Sequence, residues 1–166
     1  RQELKGHGVS GERLELAVRM GAGSLQRAQE VAAGEFDEIR RRVEEFLEAG
    51  AAKQDEVYWK ILDELGNDRG QLECFLQVCS VYLRDLFLLA YGRSESVVQI
   101  DRREYLDNLL ERVDAARAAL EIDRVVETLG HNASAQLVLT DLWRILRRGG
   151  RAAAFPPDAS LVMEGH

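Results

Sequence analysis

The chain has 166 residues, of which 46% are hydrophobic and 31% charged, and its net charge is −7. This composition excludes an intrinsically disordered protein, and a chain of this length can bury a core without a metal or disulfide. No apolar run approaches about 18 residues, so we expect no membrane contact, and the acidic balance argues against a chain-wide nucleic-acid binder. The sequence starts with Arg1 and shows no signal peptide, so we expect a segment of a longer cytoplasmic protein.

Apolar residues recur at helical spacing through almost the whole chain, and no alternating pattern typical of strands occurs, which predicts an all-α fold. Two short helices are expected first, at residues 11–20 and 24–33, with Ser24 as the N-cap of the second. Both are bounded by glycine and poor in large apolar residues, so they cannot form a core alone. We therefore assign residues 1–34 to the end of a preceding domain.

The strongest helical patterns follow in the middle of the chain. A third helix is predicted at 35–49, with Ile39, Val43, Phe46 and Leu47 apolar, and a fourth at 57–65. The fifth, at 69–91, has an apolar stripe long enough to form the centre of the core. That stripe comprises Leu72, Phe75, Leu76, Cys79, Tyr82, Leu83, Leu86, Phe87 and Ala90.

Three further helices complete the predicted bundle. The sixth begins near residue 101 and carries Tyr105, Leu106, Leu109, Leu110 and Val113, and the pattern leaves open whether it continues into the seventh. The seventh carries Leu120, Ile122, Val125, Val126 and Leu129. Asn132 is expected to cap the eighth, which carries Leu137, Leu142 and Trp143. Residues 35–148 are thus predicted to be a self-sufficient helical bundle, and 149–166 a flexible tail ending in an expression-tag-like Glu-Gly-His.

The sequence indicates no catalytic residue, metal site or cofactor site. The three histidines are scattered, and no His or Cys cluster has metal-ligand spacing. Cys74 and Cys79 lie five residues apart on one predicted helix, a rise of about 7.5 Å that is too long for a disulfide. We expect both to be free thiols in a reducing compartment.

Two arginine clusters stand out against the acidic background. Arg40, Arg41 and Arg42 are expected to pair along one helix with Glu44, Glu45 and Glu48. Arg144, Arg147 and Arg148 lie at the end of the last helix, where cations favour the helix dipole. The sequence leaves open whether this second cluster also contacts a partner or nucleic acid.

Three segments, taken in order, resemble bacterial DNA polymerase III clamp-loader subunits. The run Gly-Ser-Leu-Gln-Arg-Ala at 23–28 resembles the Gly-Ser-x-x-x-Ala turn of their AAA+ lid. The segment 82–89, which contains Arg84 and Asp85, resembles the aromatic-Leu-Arg-Asp-Leu segment of their collar helix. The segment 131–142, which contains Asn132, resembles the Asn-rich start of their last helix.

The resemblance implies a fold and a role. Residues 1–34 would end an AAA+ lid, and 35–148 would form a collar domain, while the nucleotide-binding module would lie outside this sequence. Collar domains of five subunits associate into a ring, and the AAA+ modules open the sliding clamp and place it on primed DNA. The expected partners are therefore the tau/gamma and delta subunits in a pentameric ring and, indirectly, the clamp and the DNA.

The Ser24 turn distinguishes two members of this family. Members of the ATP-binding tau/gamma type carry a sensor arginine two residues after the serine. This sequence has Gln26 there, and Arg27 follows about 100° further round the helix. The resemblance therefore favours a non-enzymatic collar of the nucleotide-inactive delta-prime type. A tau/gamma collar, an unrelated helical regulatory or ligand-binding domain, and an enzyme with a site between helices remain as alternatives.

Overall fold

The computed structural model describes residues 35–130 and 134–149. These residues form six α-helices and two short 3₁₀ turns and contain no strand, so the all-α helical bundle is confirmed. The helices are α1 Glu35–Ala52, α2 Asp55–Leu65, α3 Arg69–Ala90, α4 Arg103–Leu110, α5 Ala115–Gly130 and α6 Ala135–Arg147, and the 3₁₀ turns are Ser94–Ser96 and Ile100–Arg102. The predictions for residues 1–34, including Ser24, Gln26 and Arg27, and those for Asn132 and 150–166, lie outside the described residues.

Helix α3 is the centre of the bundle, as its apolar stripe predicts. Its N-cap is Asp68, whose carboxylate accepts a hydrogen bond from the N–H of Gln71 in the first turn. The helix packs against α1, α2, α4 and α5. Its stripe is buried from Leu72 to Leu86, whereas Phe87 is half-buried and Ala90 is exposed at the end of the helix.

Helices α1 and α6 close the core beside α3. The ring of Phe46 on α1 packs edge-on against Phe75 of α3, with centroids 5.4 Å apart, and lies 5.0 Å from the ring of Trp143 on α6. Gly50 on α1 lies so close to Leu146 on α6 that a Cβ at position 50 would come within 2.8 Å of the leucine Cβ. The absence of a side chain at Gly50 lets the two helices approach closely.

Some predicted helix ends need correction. Helix α1 continues to Ala52, α2 begins two residues earlier than predicted at Asp55, and α3 ends at Ala90. Helices α4 and α5 are separate, because a turn follows Leu110 and Asp114 accepts a hydrogen bond from the N–H of Arg117. The N-cap of α6 is Ser134, since its hydroxyl accepts a hydrogen bond from the N–H of Leu137.

Two of the apolar residues on the last two helices lie on the surface. Leu120 is 71% exposed, because Ala118 and Ile122 form the buried face of α5 and a residue two positions away from either points about 200° elsewhere. Leu137 at the start of α6 is 50% exposed, while Val138 and Leu139 are buried. Apolar character at Leu120 and Leu137 thus does not coincide with burial.

Both cysteines are free thiols, in agreement with their separation on one helix. Cys79 is fully buried and burial raises the pKa of its thiol, whereas Cys74 is half-buried. None of the helices in the described ranges combines the length and the apolar character needed to cross a lipid bilayer.

Candidate subunit interface

Arg84 and Asp85, neighbours in the segment that resembles a collar helix, have different surroundings. Asp85 is completely buried, and its carboxylate accepts hydrogen bonds from the N–H of Val98 at 3.0 Å and of Gln99 at 2.7 Å. It thereby fixes the connection that leads into the second 3₁₀ turn. Arg84 is exposed on the surface of α3. Asp85 is therefore a structural residue, and Arg84 is available for contacts with another molecule.

The first arginine cluster forms only part of the pairing with Glu44, Glu45 and Glu48 that the sequence predicts. Arg40 is only 2% exposed, and its two terminal nitrogens donate to the two carboxylate oxygens of Asp101, each at 2.9 Å. Arg41 pairs with Glu38 at 2.7 Å, and its predicted pairing with Glu45 is present at 3.9 Å. The pairing predicted for Arg40 is wrong, because its position on α1 faces α3 and the start of α4.

Arg42 and the remaining glutamates also form other pairs than predicted. Arg42 pairs with Glu38 and Glu64, Glu48 with Arg112, and Glu44 with Arg102 at 2.7 Å. All of these partners except Glu38 lie outside α1, so spacing along one helix could not identify them.

The buried pair belongs to a network that joins α1, α3 and α4. The Tyr82 hydroxyl donates to Glu44, and the Tyr105 hydroxyl donates to the backbone carbonyl of Glu44 at 3.0 Å. Burial raises the pKa of both tyrosines. Burial also favours the uncharged form of Asp101, but hydrogen bonding to Arg40 and the charges of Arg40 and Arg102 outweigh it, so the pKa of Asp101 is lowered. Arg40 and Asp101 therefore stay charged near neutral pH, and the network forms a clamp between α1 and the start of α4.

Helices α2 and α6 lie side by side and antiparallel. At one end, Asp55 accepts hydrogen bonds from the indole of Trp143 at 3.0 Å and from Arg147 at 2.7 Å. In the middle, the hydroxyls of Tyr58 and Thr140 are 2.7 Å apart. At the other end, the last turn of α2 faces the first turn of α6 across an open cleft.

This cleft, which we call the Trp59 cleft, has a volume of about 370 Å³. It is lined by Trp59, Leu62, Asp63, Gly66, Asn67, Ser134, Ala135 and Gln136. The Trp59 side chain is 60% exposed, and its ring packs edge-on against Tyr58 with centroids 4.9 Å apart. Leu137 adds a second half-exposed apolar side chain next to the lining residues. Exposed aromatic side chains beside a concave surface are typical of protein interfaces.

Trp59 was not among the contact residues predicted from the sequence, although the pattern contains a signal for it. Tyr58, Ile61 and Leu65 have the spacing of the buried face of α2, and Trp59 stands about 100° outside that face among charged residues. A large aromatic residue on a polar helix face indicates a contact surface.

The second arginine cluster forms a basic end on α6, opposite to the Trp59 cleft. Arg147 is engaged by Asp55, and Arg144 lies 4.0 Å from Asp141 on its own helix. Arg144 and Arg148 are exposed. The structure therefore brings the three predicted contact residues together, with Arg147 also joining α6 to α2.

Within residues 35–130 and 134–149, no three His, Cys, Asp or Glu side chains lie close enough to hold a metal ion. Comparisons with family models, with curated proteins and with solved structures found no match for this chain. The fold therefore places the chain in the class of all-α helical bundles. The exposed surfaces of the bundle are the features that bear on its function.

Proposed function

We propose that this chain is a non-enzymatic subunit-assembly module, namely the collar region of a bacterial DNA polymerase III clamp-loader subunit of the delta-prime type. In this role it would bind the tau/gamma and delta subunits in a pentameric ring and support loading of the sliding clamp on primed DNA. The module itself would bind no nucleotide.

The observation that carries the proposal is the position of the segment 82–89. This segment resembles the collar helix of the family, and it forms the second half of the central helix α3. Its aspartate, Asp85, is buried and fixes the chain at Val98 and Gln99. The residues that carry the resemblance therefore include one that holds the fold together. In a structural domain, a pattern shared by a family is expected at such residues.

The surfaces also suit a module that assembles with others. An interface in a head-to-tail ring uses two different surfaces of each subunit. The Trp59 cleft and the basic end of α6 are two such surfaces, one aromatic and one rich in arginine. Charged groups at their edges would add partner specificity more than affinity.

The proposal is tested by mixing the 166-residue chain with purified tau/gamma and delta subunits from the same organism and separating the mixture by gel filtration. We expect co-elution at micromolar concentrations. Elution of the chain alone in both mixtures would contradict the proposal. The upstream gene sequence is a second check, because a Gly-x4-Gly-Lys-Ser/Thr motif there would assign the chain to the tau/gamma type instead.

A further inference from the structure

We propose that the Trp59 cleft binds an arginine side chain presented by a helix of a neighbouring subunit, together with an apolar side chain one turn away on that helix. The identity of the neighbour rests on the proposed function. The chemistry of the contact rests on the charges and rings around the cleft.

Three side chains on one face of α2 define the chemistry. Glu56, Trp59 and Asp63 are spaced by three and four residues, so the indole has one carboxylate a turn before it and another a turn after it. All three residues are exposed. No Lys or Arg of the described residues pairs with either carboxylate, and Lys60, which lies between them in sequence, pairs with Glu45 on α1 at 2.8 Å. Among residues 35–130 and 134–149, this face therefore carries two negative charges without a paired cation.

An exposed indole between two carboxylates favours a guanidinium group. The face of a tryptophan ring attracts a cation, and the two carboxylates add ion pairs and hydrogen bonds to the same group. Arginine fits better than lysine, because its planar guanidinium stacks on a ring, is weakly hydrated and presents several N–H donors at once. Trp and Arg are also the residues most enriched among those that dominate binding energy at interfaces.

The indole is held in place before any partner arrives. Its ring packs at 72° against the ring of Tyr58. Tyr58 is buried and hydrogen-bonded to Thr140 on α6. A ring fixed in this way loses little conformational entropy on binding, which raises the affinity that a given contact provides.

The shape of the cleft adds the requirement for an apolar side chain. Beside Trp59, the cleft is lined by the apolar side chain of Leu62 and by the small residues Gly66, Ser134 and Ala135. A side chain three or four residues from the arginine on the partner helix would lie on the same face and reach this space. The expected partner surface is thus an amphipathic helix with an Arg next to an apolar residue.

The test measures binding of the 166-residue chain to the purified tau/gamma and delta subunits by isothermal titration calorimetry. With one of the two subunits, Trp59→Ala should weaken binding about 30-fold or more, as for a central interface tryptophan. Trp59→Phe keeps an aromatic ring but weakens the attraction for a cation, so we expect a smaller loss. The double variant Glu56→Gln/Asp63→Asn should weaken binding about 3- to 10-fold in low salt and less in high salt.

Matched variants control for general effects on the surface. Tyr91→Ala removes an exposed aromatic residue at the end of α3, and Glu104→Gln removes an exposed carboxylate on α4. Both should leave affinity within about twofold, since surface substitutions outside a contact have small effects. Circular dichroism melts of all variants verify the fold.

The outcomes separate the inference from the proposed function. If the wild-type chain binds neither subunit, the proposed function is wrong and this inference falls with it. If the wild-type chain binds but Trp59→Ala and the double carboxylate variant bind equally well, the inference is wrong and the proposed function stands. The double carboxylate variant replaces exposed groups with near-isosteres, so its result decides the matter even if Trp59→Ala destabilises the fold.

Discussion

Asp85 shows how much a single buried carboxylate contributes to this bundle. We predict that Asp85→Asn lowers the free energy of unfolding by about 2 kcal/mol or more, because a neutral amide replaces a charged acceptor that serves the N–H groups of Val98 and Gln99. Urea unfolding followed by circular dichroism measures the change. The matched control is Arg84→Gln on the exposed side of the same helix, which should change stability by less than about 0.5 kcal/mol. Equal effects of the two variants would contradict a structural role for Asp85.

The arginine run 40–42 shows which residue properties the sequence could predict. Helical spacing correctly predicts a pairing of Arg41 with Glu45, because both partners lie on α1. It does not predict that Arg40 is buried, since its partner Asp101 lies 61 residues away. Because the three arginines are identical and adjacent, the local sequence does not show which of them is buried. The packing of α1 against α3 and α4 determines that it is Arg40. The predicted contact residues also did not include Trp59. Its position outside the apolar stripe of α2 nevertheless indicates a contact residue.

At the scale of the helix, the contact between α1 and α6 depends on Gly50. We predict that Gly50→Ala lowers the free energy of unfolding by about 1 kcal/mol or more, because overpacking against Leu146 outweighs the better helix propensity of alanine. The control is Gly70→Ala in the first turn of α3, where an added Cβ would lie 3.4 Å from Asp68 Oδ1. This change should be neutral or stabilise the protein by up to about 1 kcal/mol. Chemical denaturation of both variants gives the comparison, and a stabilised Gly50→Ala variant would show that the helices do not meet as described.

The clamp between α1 and the start of α4 should make stability depend on pH. At neutral pH we expect Asp101→Asn to cost about 2 kcal/mol, since it leaves the buried guanidinium of Arg40 without its charged partner. The pKa of Asp101 is lowered in the folded protein, so the ion pair stabilises the fold at every pH above the unfolded-state value of about 4. This contribution is lost as pH falls through the lower, folded-state value.

The difference between the wild-type and Asp101→Asn proteins should therefore be largest above about pH 5, begin to shrink near about pH 4, and vanish only below the folded-state pKa of Asp101. Urea titrations between pH 2.5 and pH 7 measure the difference. Asp107→Asn is the control, because Asp107 forms an exposed pair with Arg103 within α4, and such pairs contribute less than about 1 kcal/mol. A constant difference between wild type and Asp101→Asn over the whole range would contradict an ionised pair as its source.

The helices themselves were largely predictable, and their ends and connections less so. A stripe such as that of α3 recurs over many turns, so its helix and its burial follow from spacing alone. The break between α4 and α5 depends on a short turn with Asp114 as a local acceptor, and apolar spacing on both sides of it does not reveal it. Leu120 is exposed although it is apolar, because it lies two positions from the buried Ile122 and residues at that separation cannot share one helix face.

At the scale of the whole molecule, the fold class was predictable because all described helices share the helical periodicity of apolar residues. The surfaces of the molecule were harder to predict. The Trp59 cleft arises only where the end of α2 meets the start of α6, about 70 residues further along the chain. The basic end of α6 was predictable as a cluster, since Arg144, Arg147 and Arg148 are close in sequence. Its position opposite the cleft follows from the antiparallel packing of α2 and α6.

Because the two surfaces lie at opposite ends of α6, about 20 Å apart along a helix of 13 residues, one neighbouring subunit need not cover both. In a head-to-tail ring each surface would meet a different neighbour. We therefore predict that Trp59→Ala abolishes co-elution with one of the tau/gamma and delta subunits, and that Arg144→Glu/Arg148→Glu weakens co-elution with the other. Arg147 is left unchanged because its pair with Asp55 joins α6 to α2.

Gel filtration of the variants with each subunit separately measures this division. The combined variant, with all three substitutions, should bind neither subunit, whereas Arg117→Glu, a charge reversal at an exposed position of α5, should bind both. The charge reversals on α6 should act mainly on association, so the loss should diminish as salt rises. If both variants lost the same subunit and kept the other, the two ends of α6 would belong to one interface, and a ring built through opposite ends of this module would be excluded.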